Sequence, residues 1–194
     1  MRVFIAVIVL IFSLQSWTKA DDISDFEIEG VSVGDSLLDY IPKNKIESIK
    51  SASQYPNDKF IIYILDTIID LDKFDFLSVT TKKNDNKYII TSVSAGIDYK
   101  ELKNCIELKS QIKIAIENTF NENDKEDTEY KAAQDKTGKS IVYGTQYYLK
   151  PYPSVESITV NCKHMSKESG IDRALKLIVA SESYANFVIN DAYK

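Results

Sequence analysis

One histidine, two cysteines, two methionines, four prolines and six glycines in 194 residues leave few groups from which a site could be built. His164 stands alone, so mechanisms that need two imidazoles, and His-rich metal centres, are excluded by counting. The two cysteines, Cys105 and Cys162, are too far apart in sequence for the closely spaced pair of a thiol-disulfide enzyme. Scarce glycine and proline together with 44% hydrophobic residues exclude a disordered chain and describe a domain able to bury a core. Long apolar runs are also missing: the stretch from Val3 to Leu14 has twelve residues, short of the roughly 20 needed to span a bilayer.

That stretch has another use. Arg2, the apolar run and then LQSWTKA, with Thr18 and Ala20 as the small residues before a cut, have the layout of a signal peptide over residues 1–20. A mature chain from Asp21 to Lys194 would hold 22 basic and 29 acidic residues, a net charge of −7. Such a chain does not bind nucleic acid or anionic lipid through bulk electrostatics, and it has no stable membrane span once the signal is removed. No cysteine follows the apolar run to carry a lipid. Export places Cys105 and Cys162 in an oxidising compartment, where a structural disulfide is expected; a bridge closing that loop is worth roughly 4 kcal/mol.

The clearest element is an amphipathic helix from Tyr99 to Phe120. Cys105, Leu108, Ile112, Ala115, Ile116 and Thr119 share one face, and Asp98 with Glu101 forms a capping-box pattern at its start. Ahead of it, Ser32 and Asp35 mark a shorter helix start, and Pro42 interrupts the helical pattern before Lys43 to Ser51. Strands are predicted at Phe60 to Leu65, Phe74 to Lys82 and Lys87 to Ala95, the last two joined through KKNDNK, whose Asn and Asp suit a tight hairpin. On the third of these, Ile89, Thr91 and Val93 alternate to one side. The polar run from Asn121 to Lys139 reads as an exposed loop. Further strands follow at Ser140 to Leu149, Val155 to His164 and Asp172 to Ser181, and a last helix at Glu182 to Ala192. Ile158, Val160 and Cys162 share parity, which turns Cys162 toward the helix that carries Cys105. The expected fold is α+β, an antiparallel sheet with helices packed on one face, in which two α-β-β-β units (32–96, then 98–194 with its C-terminal helix) follow in tandem within one domain over 21–194.

The stretch LQSWTKADDISDFEIEGVSVGDSLLDY (Leu14 to Tyr40), with NDNKYII (Asn84 to Ile90), DKTGKS (Asp135 to Ser140) and VNCKHMS (Val160 to Ser166), resembles a family of uncharacterised exported proteins of marine Pelagibacter-type alphaproteobacteria. The resemblance implies export and the same domain, and no activity. The helix and three-strand order after Gly30-x-Ser32 is similar in outline to the small lipoprotein domain of outer-membrane assembly factors and to the β-lactamase-inhibitor-like fold, which concerns fold alone.

Motifs with a chemical reading are weak. Lys136 to Ser140, KTGKS, ends like a phosphate-binding loop but has Ala133 where the first glycine belongs and a strand after it. The acidic run Glu122 to Glu129 lacks the spacing that wraps a calcium ion. No catalytic residue, metal ligand or cofactor is nominated. Tyr143 and Tyr147, on one side of a tyrosine-rich hairpin, are the candidate binding face, since tyrosine offers a large amphipathic contact at low entropic cost. The expectation is a periplasmic or secreted, non-catalytic protein that binds or modulates an envelope protein. A hydrolase working on an envelope polymer through two carboxylates and a soluble small-ligand carrier stay open as alternatives.

Overall fold

The structure, a computed structural model, describes residues 22–51, 55–120, 124–132, 135–169 and 173–194. The signal-peptide expectation over 1–20 therefore lies outside the described residues. Seven antiparallel strands form one sheet: β3 (Phe60–Ile64), β4 (Phe76–Lys82), β5 (Ile90–Asp98), β6 (Asp124–Lys131), β7 (Ile141–Tyr148), β8 (Ser157–His164) and β9 (Ala174–Ala180), in the spatial order β3-β4-β5-β9-β8-β7-β6. Two meanders, one of three strands and one of four, thus meet along β5 and β9, and the α+β antiparallel sheet is as the pattern predicts. Three helices accompany it: α1 (Lys43–Ile46), α2 (Leu102–Thr119) and, at the C-terminus, α3 (Glu182–Asn190). Among the described residues, none is long and apolar enough to cross a membrane.

Helix α2 lies over the second meander. Its Cys105, Lys109, Ile112 and Ile116 are buried, and the core they join includes Ile158, Val160, Cys162, Leu175, Leu177 and Val179. The helix starts at Leu102, not Tyr99, because β5 extends to Asp98, which pairs with Ala174. The Asp98 amide donates to Asp75 Oδ2 at 2.7 Å, and Glu101 caps the helix without a side-chain bond, so the expected capping box does not form.

Over the first meander the same role falls to the N-terminal segment. Glu27–Ile28 (β1) and Val31–Ser32 (β2) make a two-residue hairpin in which Glu29 and Gly30 both take positive φ, 53° and 75°, the geometry of a type I′ turn. Ile28, Val31, Val33, Leu37, Ile41 and Ile46 are buried there, and Phe26 meets Phe120 at the end of α2 at 6.1 Å between ring centroids. The Glu29 carboxylate clamps the hairpin to the chain ahead of β4: it accepts from the amides of Asp72, Lys73 and Phe74 at 3.1, 2.8 and 3.2 Å.

Two local expectations change. Between β4 and β5, Thr80 pairs with Ser92 and Thr81 with Ile90, so Thr91 is the extra residue of a bulge and donates from its hydroxyl to the Thr80 carbonyl. The bulge brings Ile90 and Val93 into the core, where strict alternation places Ile89, Thr91 and Val93. The polar run contains β6, DKEDTEYK, an edge strand paired along its length with β7, where a loop is expected. Finally α3 closes a smaller cluster of Phe60, Phe187 and Ala192 with Tyr55 and Tyr184, built on the parity of Phe60, opposite to that of Tyr63 in the main core.

Candidate anion-binding face

Cys105 and Cys162 are joined in a disulfide, their Cα atoms 5.9 Å apart, so helix and sheet are tied covalently at the centre of the core. Tyr143 and Tyr147 lie on the side of β7 that faces α2. Tyr147 is 2% exposed, and its hydroxyl donates to Glu117 Oε1 at 3.0 Å; Tyr143 is half-buried against the core, and its carbonyl accepts from Lys109 Nζ at 3.1 Å. The candidate binding face thus lies on the inner side of the hairpin, toward the helix. Strand parity alone leaves that choice open.

The other motifs serve the fold. In the KTGKS loop, Asp135 is the organiser: its carboxylate accepts from the Thr137 and Ser140 amides and from the hydroxyls of Thr137, Ser140 and Ser166, which holds its carboxyl well below the usual range. Lys139 pairs with Glu168 at 2.8 Å. Residues of the acidic run meet α2: Asp127 pairs with Lys113 at 3.0 Å and accepts from the Thr145 hydroxyl, and Lys125 pairs with Glu117 at 2.9 Å. Asn121 to Asn123 and Ala133 lie outside the described residues. His164 is half-buried, with burial and then the neighbouring Arg173 holding its pKa below the ordinary value. Among the described residues, no three His, Cys, Asp or Glu side chains cluster as metal ligands.

The face of the sheet away from α2 shows a different chemistry. Register places Phe76, Gly96, Lys176, Asn161, Gly144 and Thr128 in one row across six strands. The next row holds Tyr130, Val142, Lys163, Ala174 and Asp98. Lys163 and Lys176 are therefore diagonal neighbours on β8 and β9, with Asn161 beside both. Two glycines shape the row. At Gly96 the Phe76 ring leans over the bare backbone, so close that a Cβ there would lie 2.0 Å from its Cζ; at Gly144 the Asn161 carboxamide and Thr128 hydroxyl crowd in, 2.7 and 2.5 Å from where a Cβ would be. Lys176 Nζ sits 5.2 Å from the Phe76 ring centroid.

The electrostatics of this row are unbalanced. Both lysines are half-buried, and among the described residues neither ammonium makes an ion pair or a hydrogen bond. Burial, followed by repulsion from Lys176, pushes the Lys163 ammonium down to about 8, and burial lowers Lys176 as well. Asn161 is 8% exposed, and its side chain has no hydrogen-bond partner among the described residues. A half-buried cation without an ion-pair partner is costly. Two ammonium groups and one amide that are register neighbours on the sheet face away from α2, part of which is covered by the cluster of Ala132, Val142 and Met165 and part by the α3 cluster, can do one thing well, which is to bind an anion. The sequence held half of this signal: Leu175, Leu177 and Cys162 point inward, so Lys176, Asn161 and Lys163 point the other way, but the β8-β9 register that makes them neighbours is not written in either strand.

Compared with known proteins, the chain matches no family model, no curated protein and no solved structure.

Proposed function

We propose that the protein is an exported, periplasmic or secreted, non-catalytic binding protein of the cell envelope, of the kind found in the Pelagibacter-type family it resembles, and that it engages its partner or ligand through the sheet face around Lys163, Lys176 and Asn161. The observation that carries this reading is the register that makes Lys163 and Lys176, both half-buried and neither in an ion pair among the described residues, diagonal neighbours beside Asn161 on that face. The buried disulfide and the leader-like N-terminus support export. The non-catalytic reading is supported by the use made of the carboxylates most deeply engaged in the fold. Glu29 clamps three amides, Asp135 organises its loop, and Glu182 accepts from the Ser154 hydroxyl and the Val155 and Glu156 amides.

The test is expression of the full chain with a C-terminal tag in a Gram-negative host, fractionation, and mild crosslinking in intact cells. The reading expects the chain in the periplasmic fraction at the mass of 21–194 with no alkylatable thiol. It also expects an envelope component crosslinked to the wild type and lost in the Lys163→Met, Lys176→Met variant. Retention in the cytoplasm with free thiols, or crosslinking that ignores the double substitution, would overturn it.

A further inference from the structure

We propose that Lys163, Lys176 and Asn161 form a binding site for the phosphate group of a small, hydroxyl-bearing phosphomonoester. The inference rests on the binding-face reading above and deepens it by naming the ligand class. Its first support is charge. A phosphomonoester carries −1.5 to −2 charges near neutral pH and three strong acceptor oxygens, which match two ammonium groups and an amide donor; a lone carboxylate would leave one lysine uncompensated. Half-buried as they are, the two lysines have lost part of their hydration, and like charges so placed repel. An incoming dianion removes both penalties.

The second support is Asn161. It is 8% exposed, makes no side-chain hydrogen bond to the described residues, and stands beside both lysines in register, opposite Lys176 and two residues before Lys163. Its carboxamide is held in place by the gap at Gly144, where any side chain would meet it. The Phe76 ring lies over Gly96 on the Lys176 side, its centroid 5.2 Å from the ammonium. On the same face the next row toward α3 offers Gln146, Thr159, Ser94 and Ser78, with Ile178 between them. Hydroxyl and amide groups in that position suit the polar body of a phosphorylated sugar or polyol. They also argue against a membrane phosphate as the source, because a lipid headgroup comes with acyl chains and this row offers few apolar side chains to meet them.

The experiment uses the purified, oxidised mature protein, labelled with nitrogen-15, titrated separately with glucose 6-phosphate, inorganic phosphate, glucose, and vesicles containing phosphatidic acid. The inference expects saturable amide shifts for glucose 6-phosphate, largest at Asn161, Lys163 and Lys176, with inorganic phosphate binding more weakly and glucose not at all. Lys163→Met and Lys176→Met each lower the affinity about tenfold or more, while their melting temperatures stay at or above wild type, since removing an unpaired half-buried charge does not unfold the sheet. Asn161→Asp, which places a negative charge beside both lysines, abolishes binding. The absence of saturable shifts with either phosphate probe, shifts confined to surface lysines such as Lys139 and Lys150, or equal affinity in the methionine variants would each overturn the site. Inorganic phosphate binding as tightly as the sugar ester would overturn the hydroxyl-bearing ligand class, and lysine-dependent binding to the vesicles alone would overturn the soluble source. If the phosphate probes fail while an envelope component still crosslinks in a lysine-dependent way, the ligand class is wrong and the binding-face reading stands; the reverse pattern refutes the envelope-partner reading and leaves the phosphate site intact.

Discussion

Replacing Gly96 with alanine tests whether the Phe76 ring and the β5-β9 pairing depend on a missing side chain. The added Cβ would sit 2.0 and 2.1 Å from two Phe76 ring atoms and 2.7 Å from the Leu175 carbonyl oxygen, where ordinary contact begins at 3.4 Å. The ring end can swing aside, which requires a retreat of about 1.4 Å and loosens its contact with the Lys176 ammonium. The carbonyl cannot, because Leu175 belongs to the β9 backbone paired to β5 through Gly96 and Lys176. Overpacking of this kind costs about 1–3 kcal/mol, and loss of the ring-ammonium contact adds about 0.5–1 kcal/mol. Relief of the unfolded-chain entropy of glycine returns about 0.5–1 kcal/mol. The expected net loss is therefore about 1–3 kcal/mol. Urea denaturation read at the midpoint, with an unchanged slope, measures it. In a Phe76→Ala background the same substitution should cost about 1 kcal/mol less, since only the Leu175 clash is left. Gly144→Ala, which meets only the side-chain ends of Thr128 and Asn161, should cost less than Gly96→Ala. A Gly96→Ala protein as stable as the wild type, or an equal loss in both backgrounds, would refute the reasoning.

The remaining predictions concern the staples of the fold and one proton. Cys105→Ala with Cys162→Ala opens a loop with a sequence separation of 57 and should lower the unfolding free energy by roughly 4 kcal/mol in the same denaturation assay. Glu29→Gln keeps one acceptor but gives up the charge that gathers three amides, and should cost about 1–2 kcal/mol, with faster amide exchange at Asp72 to Phe74 as the local readout. Lys163 holds its proton less firmly when folded, about 8 against the ordinary 10.5, so between those values the unfolded chain binds the extra proton and stability rises with pH. Its neighbours on the face are Lys176 on β9, with Tyr130 on β6 and Asp98 on β5 in its own row. Lys163→Met should therefore be more stable than the wild type at pH 7, with the gap closing from about pH 8 to 10.5; a gap that is constant with pH would show that the lysine is not desolvated.

What the sequence makes legible is whatever depends on parity and periodicity within one element. The inward face of β8, with Cys162 on it, and the apolar stripe of α2 are local patterns, and together they bring the two cysteines within bonding reach. Features that depend on pairing between distant strands are not legible in the same way. DKEDTEYK has no alternation because neither of its faces is deeply buried, so nothing local separates it from a loop; it becomes a strand only because β7 offers it a ladder. Asp98 and Glu101 carry a good helix cap in sequence, but the pairing of Asp98 with Ala174 takes the first of them into β5. Lys109 falls by spacing on the apolar stripe, four residues after Cys105 and three before Ile112, although its residue type suggests solvent; it is 8% exposed, and its ammonium donates to the Tyr143 carbonyl. The paired tyrosines follow the same logic: their shared side was evident, and which layer covers it was not.

The two edge strands of the sheet bear on how readily another chain could add to it. An open strand end is a template for another chain, and each end here is blunted differently. Along β6 the ladder groups are flanked by Asp124, Lys125, Glu126, Asp127 and Glu129, so a second copy arriving in register would stack like charges against like. At β3 the outer hydrogen bonds are already partly taken, by the Ser51 amide on the Ile62 carbonyl at 2.8 Å and the Lys50-Tyr63 bridge. Neutralising the β6 carboxylates by acid or substitution would remove the charge guard from that end while leaving β3 protected, so filament growth at low pH should begin from β6. Edges guarded in this way leave the faces of the sheet for recognition.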